Sequence, residues 1–231
     1  MNICGLNKTT LLDYPGKIAC TIFLGGCNFR CPFCHNSRLV LSPHTQPQLT
    51  EEEILSFLKK RQGILEGVCI TGGEPTQEKG LIAFIEKIHN IGYPIKLDTN
   101  GSRPWILKKL VHNQLIDMVA MDIKSSFSSY EKVAGVKGIS LDPIRESAAF
   151  LLTDVIPYEF RTTVVRELHN AEDFRQIGKW LAGCQAYYLQ AYQDSPEVMI
   201  PGFTSYTREE LEEFQAILQQ TISKVEIRGI D

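Results

Sequence analysis

The chain has 231 residues, 43% of them hydrophobic and 22% charged, which suits one soluble domain spanning 1–231 with a sizeable core. A net charge of −3 with no basic block gives no support for nucleic-acid or anionic-membrane binding. No apolar run approaches the ~18 residues that cross a bilayer, and the opening stretch lacks the charged-then-apolar pattern of a secretory leader, so a cytoplasmic protein is expected.

Strand-like and helix-like segments alternate along the chain. A strand is expected over 17–23, followed by the run Cys27-Asn28-Phe29-Arg30-Cys31-Pro32-Phe33-Cys34-His35-Asn36. Thr50-Glu51-Glu52-Glu53 has the form of a capping box, in which the Thr50 hydroxyl and Glu53 carboxylate each satisfy an orphan amide. It opens a helix with Ile54, Leu55 and Leu58 on one face. A strand over 67–71 ends in Gly72-Gly73-Glu74-Pro75, and Leu81, Phe84, Ile85 and Ile88 then recur at helical spacing. The strand over 94–98 closes on Asp98-Thr99-Asn100-Gly101, and a helix starts at Pro104 with Ile106, Leu107 and Leu110 inward. Next come a strand over 118–123 ending in Asp122-Ile123-Lys124, a strand over 159–165, and a helix with Phe174, Ile177 and Leu181. A strand over 186–190 precedes a second capping box at Thr207-Arg208-Glu209-Glu210. The helix it opens carries Leu211, Phe214, Leu218 and Ile222, and a strand over 224–228 ends the series.

The strands are short and rich in Ile, Val and Leu, as parallel strands covered on both faces require. Repeated β-then-α order predicts an α/β fold, a partial (β/α)6 TIM-like barrel with about six visible βα units. In such barrels the reactive groups sit on loops after the carboxyl ends of strands. The cysteine loop at 24–36, the Gly72–Pro75 turn, Asp98–Gly101 and Asp122–Lys124 all occupy such positions.

Cys27, Cys31 and Cys34 are spaced C-x3-C-x2-C, with no fourth cysteine at matching spacing. Iron–sulfur clusters usually take four cysteines. Three would hold three corners of a [4Fe–4S] cube and leave one iron open to a ligand. The alternative is a structural zinc with His35 as fourth ligand, although adjacent Cys34 and His35 are awkward in one tetrahedron. Seven cysteines, three of them clustered, favour a metal or cluster site over a disulfide framework. Phe29 and Phe33 either shield that site or fill core. Cys20 and Cys69 fall inside strands as small core residues, and His44, His89, His112 and His169 carry no assigned role. Gly72 and Gly73 permit unusual φ and close backbone approach, and the carbonyls of such a turn can accept bonds from an amine.

These motifs resemble the radical S-adenosylmethionine enzymes, and more narrowly the activating enzymes of glycyl-radical proteins. Leu12-Asp13-Tyr14-Pro15-Gly16-Lys17, Leu24-Gly25-Gly26-Cys27-Asn28, Cys34-His35-Asn36, Asp98-Thr99-Asn100-Gly101 and Asp122-Ile123-Lys124 are together most similar to the anaerobic ribonucleoside-triphosphate reductase activating protein family. The resemblance implies cluster ligation by Cys27, Cys31 and Cys34, the residues on which catalysis depends. It implies S-adenosylmethionine binding by Gly72, Gly73, Glu74, Asp98 and Asn100, with Lys124 pairing to the cofactor carboxylate. Asp98 and Asp122 are its candidates for a monovalent cation. Arg161 is a candidate to reach the cofactor, or else to form a structural ion pair. Where some relatives place a histidine against the adenosine, this chain offers Gln190. The implied partners are a flavodoxin or ferredoxin as electron donor and a glycyl-radical protein, the anaerobic reductase, as substrate. The implied reaction splits S-adenosylmethionine to methionine and a 5′-deoxyadenosyl radical that takes a hydrogen atom from a glycine Cα of the partner. Two other readings stay open: a radical enzyme acting on a small molecule such as a purine-like ring, and a zinc-bound interaction module without catalysis.

Overall fold

Runs of branched aliphatic residues form the strands, and the amphipathic stretches between them form the helices. The computed structural model describes residues 1–230. The chain forms two compact units. One comprises Met1–Asn28 and Asn36–Ala120, the other Phe29–His35 and the chain from Met121 onward.

In the first unit, strand β1 (Ile3–Thr10) pairs antiparallel with β2 (Ala19–Leu24). Strands β3 (Gly67–Gly72) and β4 (Ile95–Thr99) follow, each parallel to its predecessor. The register runs from Ala19 opposite Gly67 to Leu24 opposite Gly72, which brings the end of β2 level with the Gly72–Gly73 turn. Helices α1 (Ser37–Leu41), α2 (Glu51–Lys60), α3 (Leu81–His89) and α4 (Pro104–His112) lie between or after the strands. Both bonds of the Thr50–Glu53 capping box are made. Leu81, Phe84, Ile85 and Ile88 are fully buried; side chains of this size each contribute roughly 1.5–3 kcal/mol by leaving water.

Strand β5 (Met118–Asp122) leads from the first unit into the second. The second unit continues with α5 (Tyr130–Ala134), α6 (Asp142–Leu151), β6 (Tyr158–Val164), α7 (Ala171–Trp180), β7 (Tyr187–Ala191), α8 (Arg208–Leu218) and β8 (Val225–Arg228). Strands β6, β7 and β8 are parallel neighbours in that order. The capping box at Thr207 and Glu210 is present, and Asn170 with Asp173 forms another ahead of α7.

The α/β class is borne out, and each expected strand lies within two residues of its place. Four elements were not foreseen: β1, α1, α5 and α6. Strand β1 has no sequence signature because its second half, Asn7-Lys8-Thr9, is polar and exposed. A lysine on an outer strand discourages pairing with a further chain. Among the described residues no helix is long and apolar enough to cross a membrane.

Candidate active site

In the first unit, the loop after β2 is held by backbone contact. Gly26 N–H donates to the Leu39 carbonyl at 2.8 Å, and the Gly26 carbonyl accepts from Glu74 N–H at 2.8 Å. A Cβ on Gly73 would lie 2.0 Å from the Gly26 oxygen and 3.3 Å from Cys27 Cβ. Gly72 has φ +124°, and a Cβ there would lie 2.2 Å from the Leu24 oxygen. Both glycines are thus required by close approach, and Gly72 also by its left-handed φ. The Gly72 carbonyl is taken by Asn36 Nδ2 at 2.8 Å. Asn100 Nδ2 donates to Asn28 Oδ1 at 3.0 Å and lies 3.9 Å from Cys27 Sγ.

Glu74 is buried, 1% exposed, and its carboxylate is surrounded by donors. Oε1 accepts from the Thr76 N–H at 3.1 Å, the Thr76 hydroxyl and the Thr99 hydroxyl at 2.7 Å; Oε2 accepts from Asn100 N–H at 2.6 Å. Burial raises the Glu74 pKa, while these four bonds oppose the rise. The side chain joins the loop after β3 to the loop after β4, a role that the sequence does not reveal because it shows the acid but not its donors. On β4 itself, Asp98 Oδ1 accepts from Lys96 Nζ at 2.5 Å and faces Cys69 Sγ at 3.8 Å.

In the second unit, the cysteine loop closes a turn in which Cys34 N–H donates to the Cys31 carbonyl at 3.0 Å. Arg30 N–H donates to the Ala134 carbonyl at 2.9 Å. Gly135 ends α5 at φ +66°, and a Cβ there would lie 2.0 Å from the Arg30 oxygen. The segment 192–200 grips the loop as well. Met199 N–H donates to the Cys34 carbonyl at 3.1 Å, Ile200 N–H to the Pro32 carbonyl at 2.8 Å, and the His35 ring packs on Tyr192 and reaches the Gln193 carbonyl at 2.5 Å. Phe29 and Phe33 are buried; Phe33 meets the His169 ring edge-on at 6.4 Å.

Asp122, at the end of β5, holds Arg161 Nε at 2.5 Å through Oδ1 and Lys124 Nζ at 3.0 Å through Oδ2. Burial disfavours its charge, but Arg161 and then Lys124 prevail and hold the carboxyl well below the usual carboxylate range. Burial likewise disfavours the Lys124 ammonium, yet Asp122 and Cys31 keep it protonated beyond the ordinary lysine range. The Lys124 carbonyl accepts from His169 Nε2 at 2.8 Å, so a histidine with no assigned role in the sequence fixes the backbone of a candidate cofactor residue. Gln190 lines a cavity of about 400 Å³ together with His35, Thr163, Gln193 and Arg228. The Arg228 guanidinium lies 3.2 Å from the Tyr188 ring centroid and makes two bonds to Glu159.

The donor chemistry fits a cluster and a sulfonium nucleotide. None of the cysteines is in a disulfide. Burial pushes the Cys31 thiol up to about 11, and the neighbouring Lys124 charge opposes that rise. Burial raises the pKa of the neighbouring Tyr130 hydroxyl, opposed by the backbone and the charge of Lys124, so it stays a neutral donor beside Cys31. Among the described residues no three His, Cys, Asp or Glu side chains converge as a single ion requires.

Known proteins agree with this chemistry. The model of the Radical SAM superfamily matches residues 21–181. The chain is 31% identical over 237 residues to the "Putative glycyl-radical enzyme activating enzyme MJ1227" of Methanocaldococcus jannaschii, covering 99% of this chain and 96% of that protein. It is 27% identical over 165 residues to a 7-carboxy-7-deazaguanine synthase of Koribacter versatilis, covering 70% and 67%. Among solved structures, Streptococcus suis SuiB superposes with a TM-score of 0.71 at 13% identity, covering 90% of this chain and 48% of SuiB. The likeness to SuiB is one of fold, consistent with the expected partial barrel. The chain therefore belongs to the Radical SAM superfamily, whose members use a [4Fe–4S] cluster and S-adenosylmethionine.

Proposed function

We propose that this protein is a glycyl-radical activating enzyme and that its substrate is a backbone glycine of an anaerobic ribonucleoside-triphosphate reductase. The observation that carries the activating role is the end-to-end match to the Methanocaldococcus jannaschii protein, which spans nearly all of both chains. The choice of reductase rests on the motifs at 12–17, 24–28, 34–36, 98–101 and 122–124. In this reading Cys27, Cys31 and Cys34 ligate three irons. The Gly72–Glu74 backbone, Asp98, Asn100, Lys124, Arg161 and Gln190 bind and orient S-adenosylmethionine. When bound, cluster and cofactor supply a 5′-deoxyadenosyl radical. Lys124 offers its ammonium to the cofactor carboxylate, and Asp122 keeps that ammonium charged and in place until the carboxylate arrives. Glu74 keeps the turn that carries the Gly72–Glu74 backbone rigid. A flavodoxin or ferredoxin in the cytoplasm delivers the electron.

A second reading, modification of a small purine-like ring, is favoured by the likeness to the deazaguanine synthase. One experiment separates them. The protein is reconstituted anaerobically with iron and sulfide, reduced with S-adenosylmethionine present, and assayed for 5′-deoxyadenosine. An added anaerobic reductase is then examined by electron paramagnetic resonance. A glycyl radical on the reductase supports the first reading. Turnover of a purine-like compound with no radical on any added reductase favours the second, and no 5′-deoxyadenosine from a reduced cluster sinks both. Replacing Cys27, Cys31 or Cys34 by Ala should abolish cleavage; a variant with full activity removes that cysteine from the ligand set.

A further inference from the structure

We infer that this chain carries its own cation at Asp98: the Lys96 ammonium fills the place that the resemblance assigns to a monovalent ion, and no sodium or potassium is bound there. Residues 96 and 98 lie on the same face of β4 because side chains alternate along a strand. Their side chains are only 2% and 11% exposed, and Nζ stands 2.5 Å from Oδ1. On β3, Cys69 sits in register with Lys96 and presents its thiol to the same oxygen at 3.8 Å.

The neighbours of Oδ1 thus include an ammonium and a thiol, both donors. Hard cations are held by several oxygen lone pairs, and an ammonium at this distance repels any second cation. The residues do not fit a bound ion at Oδ1. The other carboxylate offered to such an ion, Asp122, has Arg161 on one oxygen and Lys124 on the other. A lysine is almost never this buried unless paired, and an apolar residue of similar volume often serves stability as well as a buried ion pair. What Lys96 adds over an apolar side chain is a positive charge that cannot dissociate.

The inference rests on the reading of Asp98 as part of the cofactor site, but its test does not use turnover. The reconstituted protein is exchanged into tetramethylammonium, sodium or potassium chloride at one ionic strength. Its melting temperature and the sodium NMR line width are then measured. The wild type should melt within about 1 °C in all three salts, since a ligand that does not bind cannot shift the transition, and should not broaden the sodium signal. Lys96→Gln, which leaves the carboxylate without its ammonium, should melt lower in tetramethylammonium and recover in sodium or potassium. The Lys96→Met/Asp98→Asn double variant, with neither charge, should again be indifferent. Sodium- or potassium-specific stabilisation of the wild type that is lost in Asp98→Asn overturns the inference, whether or not Lys96→Gln folds. So does a folded Lys96→Gln with no response to either ion. Failure to cleave S-adenosylmethionine would count against the proposed function and leave this result standing.

Discussion

Glu74 and Asp122 are both acids next to the motifs that carry the chemistry, and they are neutralised in opposite ways. Glu74 is sealed and bound only by neutral donors, two of them backbone amides. Asp122 keeps 28% of its side chain exposed and is bound by two cations. A buried carboxylate ringed by hydroxyls and amides is a fixed peg, because every donor it loses is left unsatisfied. A carboxylate paired with a lysine and an arginine and itself partly open to solvent is a holder of charge: it keeps both cations charged, and one can meet another anion while the second stays paired. The first arrangement suits a loop that must not move, the second the carboxylate-binding role proposed above for Lys124.

The largest expected effect breaks the peg. Glu74→Ala strands the Thr99 hydroxyl and the Asn100 and Thr76 amides, and should cost about 3 kcal/mol or roughly 6–12 °C in melting temperature. A melt within a degree or two of wild type would show that the four bonds do not hold the loops. Lys124→Ala tests the holder. Affinity for S-adenosylmethionine, measured by equilibrium binding, should fall by about tenfold or more, because a charge-assisted pair to a carboxylate is lost. Stability should change by no more than about 1 kcal/mol, since Asp122 keeps Arg161 and is partly solvated. Unchanged affinity would leave Lys124 with a structural role only.

The smallest effect concerns His169, which fixes the Lys124 backbone. Burial, opposed by bonds to Lys124 and Val165, holds its pKa below the ordinary value. An unfolded histidine titrates near 6.5. Below roughly that pH the unfolded chain binds a proton that the folded chain refuses, so this stabilisation is present above it and is lost as pH falls. The melting temperature should drop between about pH 7.5 and 5.5, and His169→Phe should flatten that part of the slope. An equal slope in the variant would assign the drop to other groups.

The strand ends were legible because parallel βα units leave a regular trace: a short apolar run, then a polar residue at its carboxyl end. That trace put Asp98, Asp122 and Lys124 where strands stop. Lys96 escaped it. Between Ile95 and Leu97 it looks like the solvent-facing member of an alternating strand, yet all five residues of β4 are buried. Alternation reports exposure only where one face of a sheet meets water. The helix α6 was passed over although Pro143 stands in its first turn and Ile144, Ala148 and Leu151 repeat at helical spacing. Tyr130 and His169 lie beyond any local pattern: chain-distant packing sets Cys31 near the first and Lys124 against the second.

The contact of Gly73 with Gly26 has a consequence for how such a protein can change. A place where main chain lies directly against main chain has no side chain to trade, so point mutation offers it no graded series of alternatives. Even alanine puts a methyl 2.0 Å from an oxygen, which makes position 73 an all-or-nothing site in any saturation library. The residues around the Gln190 cavity face about 400 Å³ of open space instead of main chain, so they are the positions where a graded series of side chains can be tried.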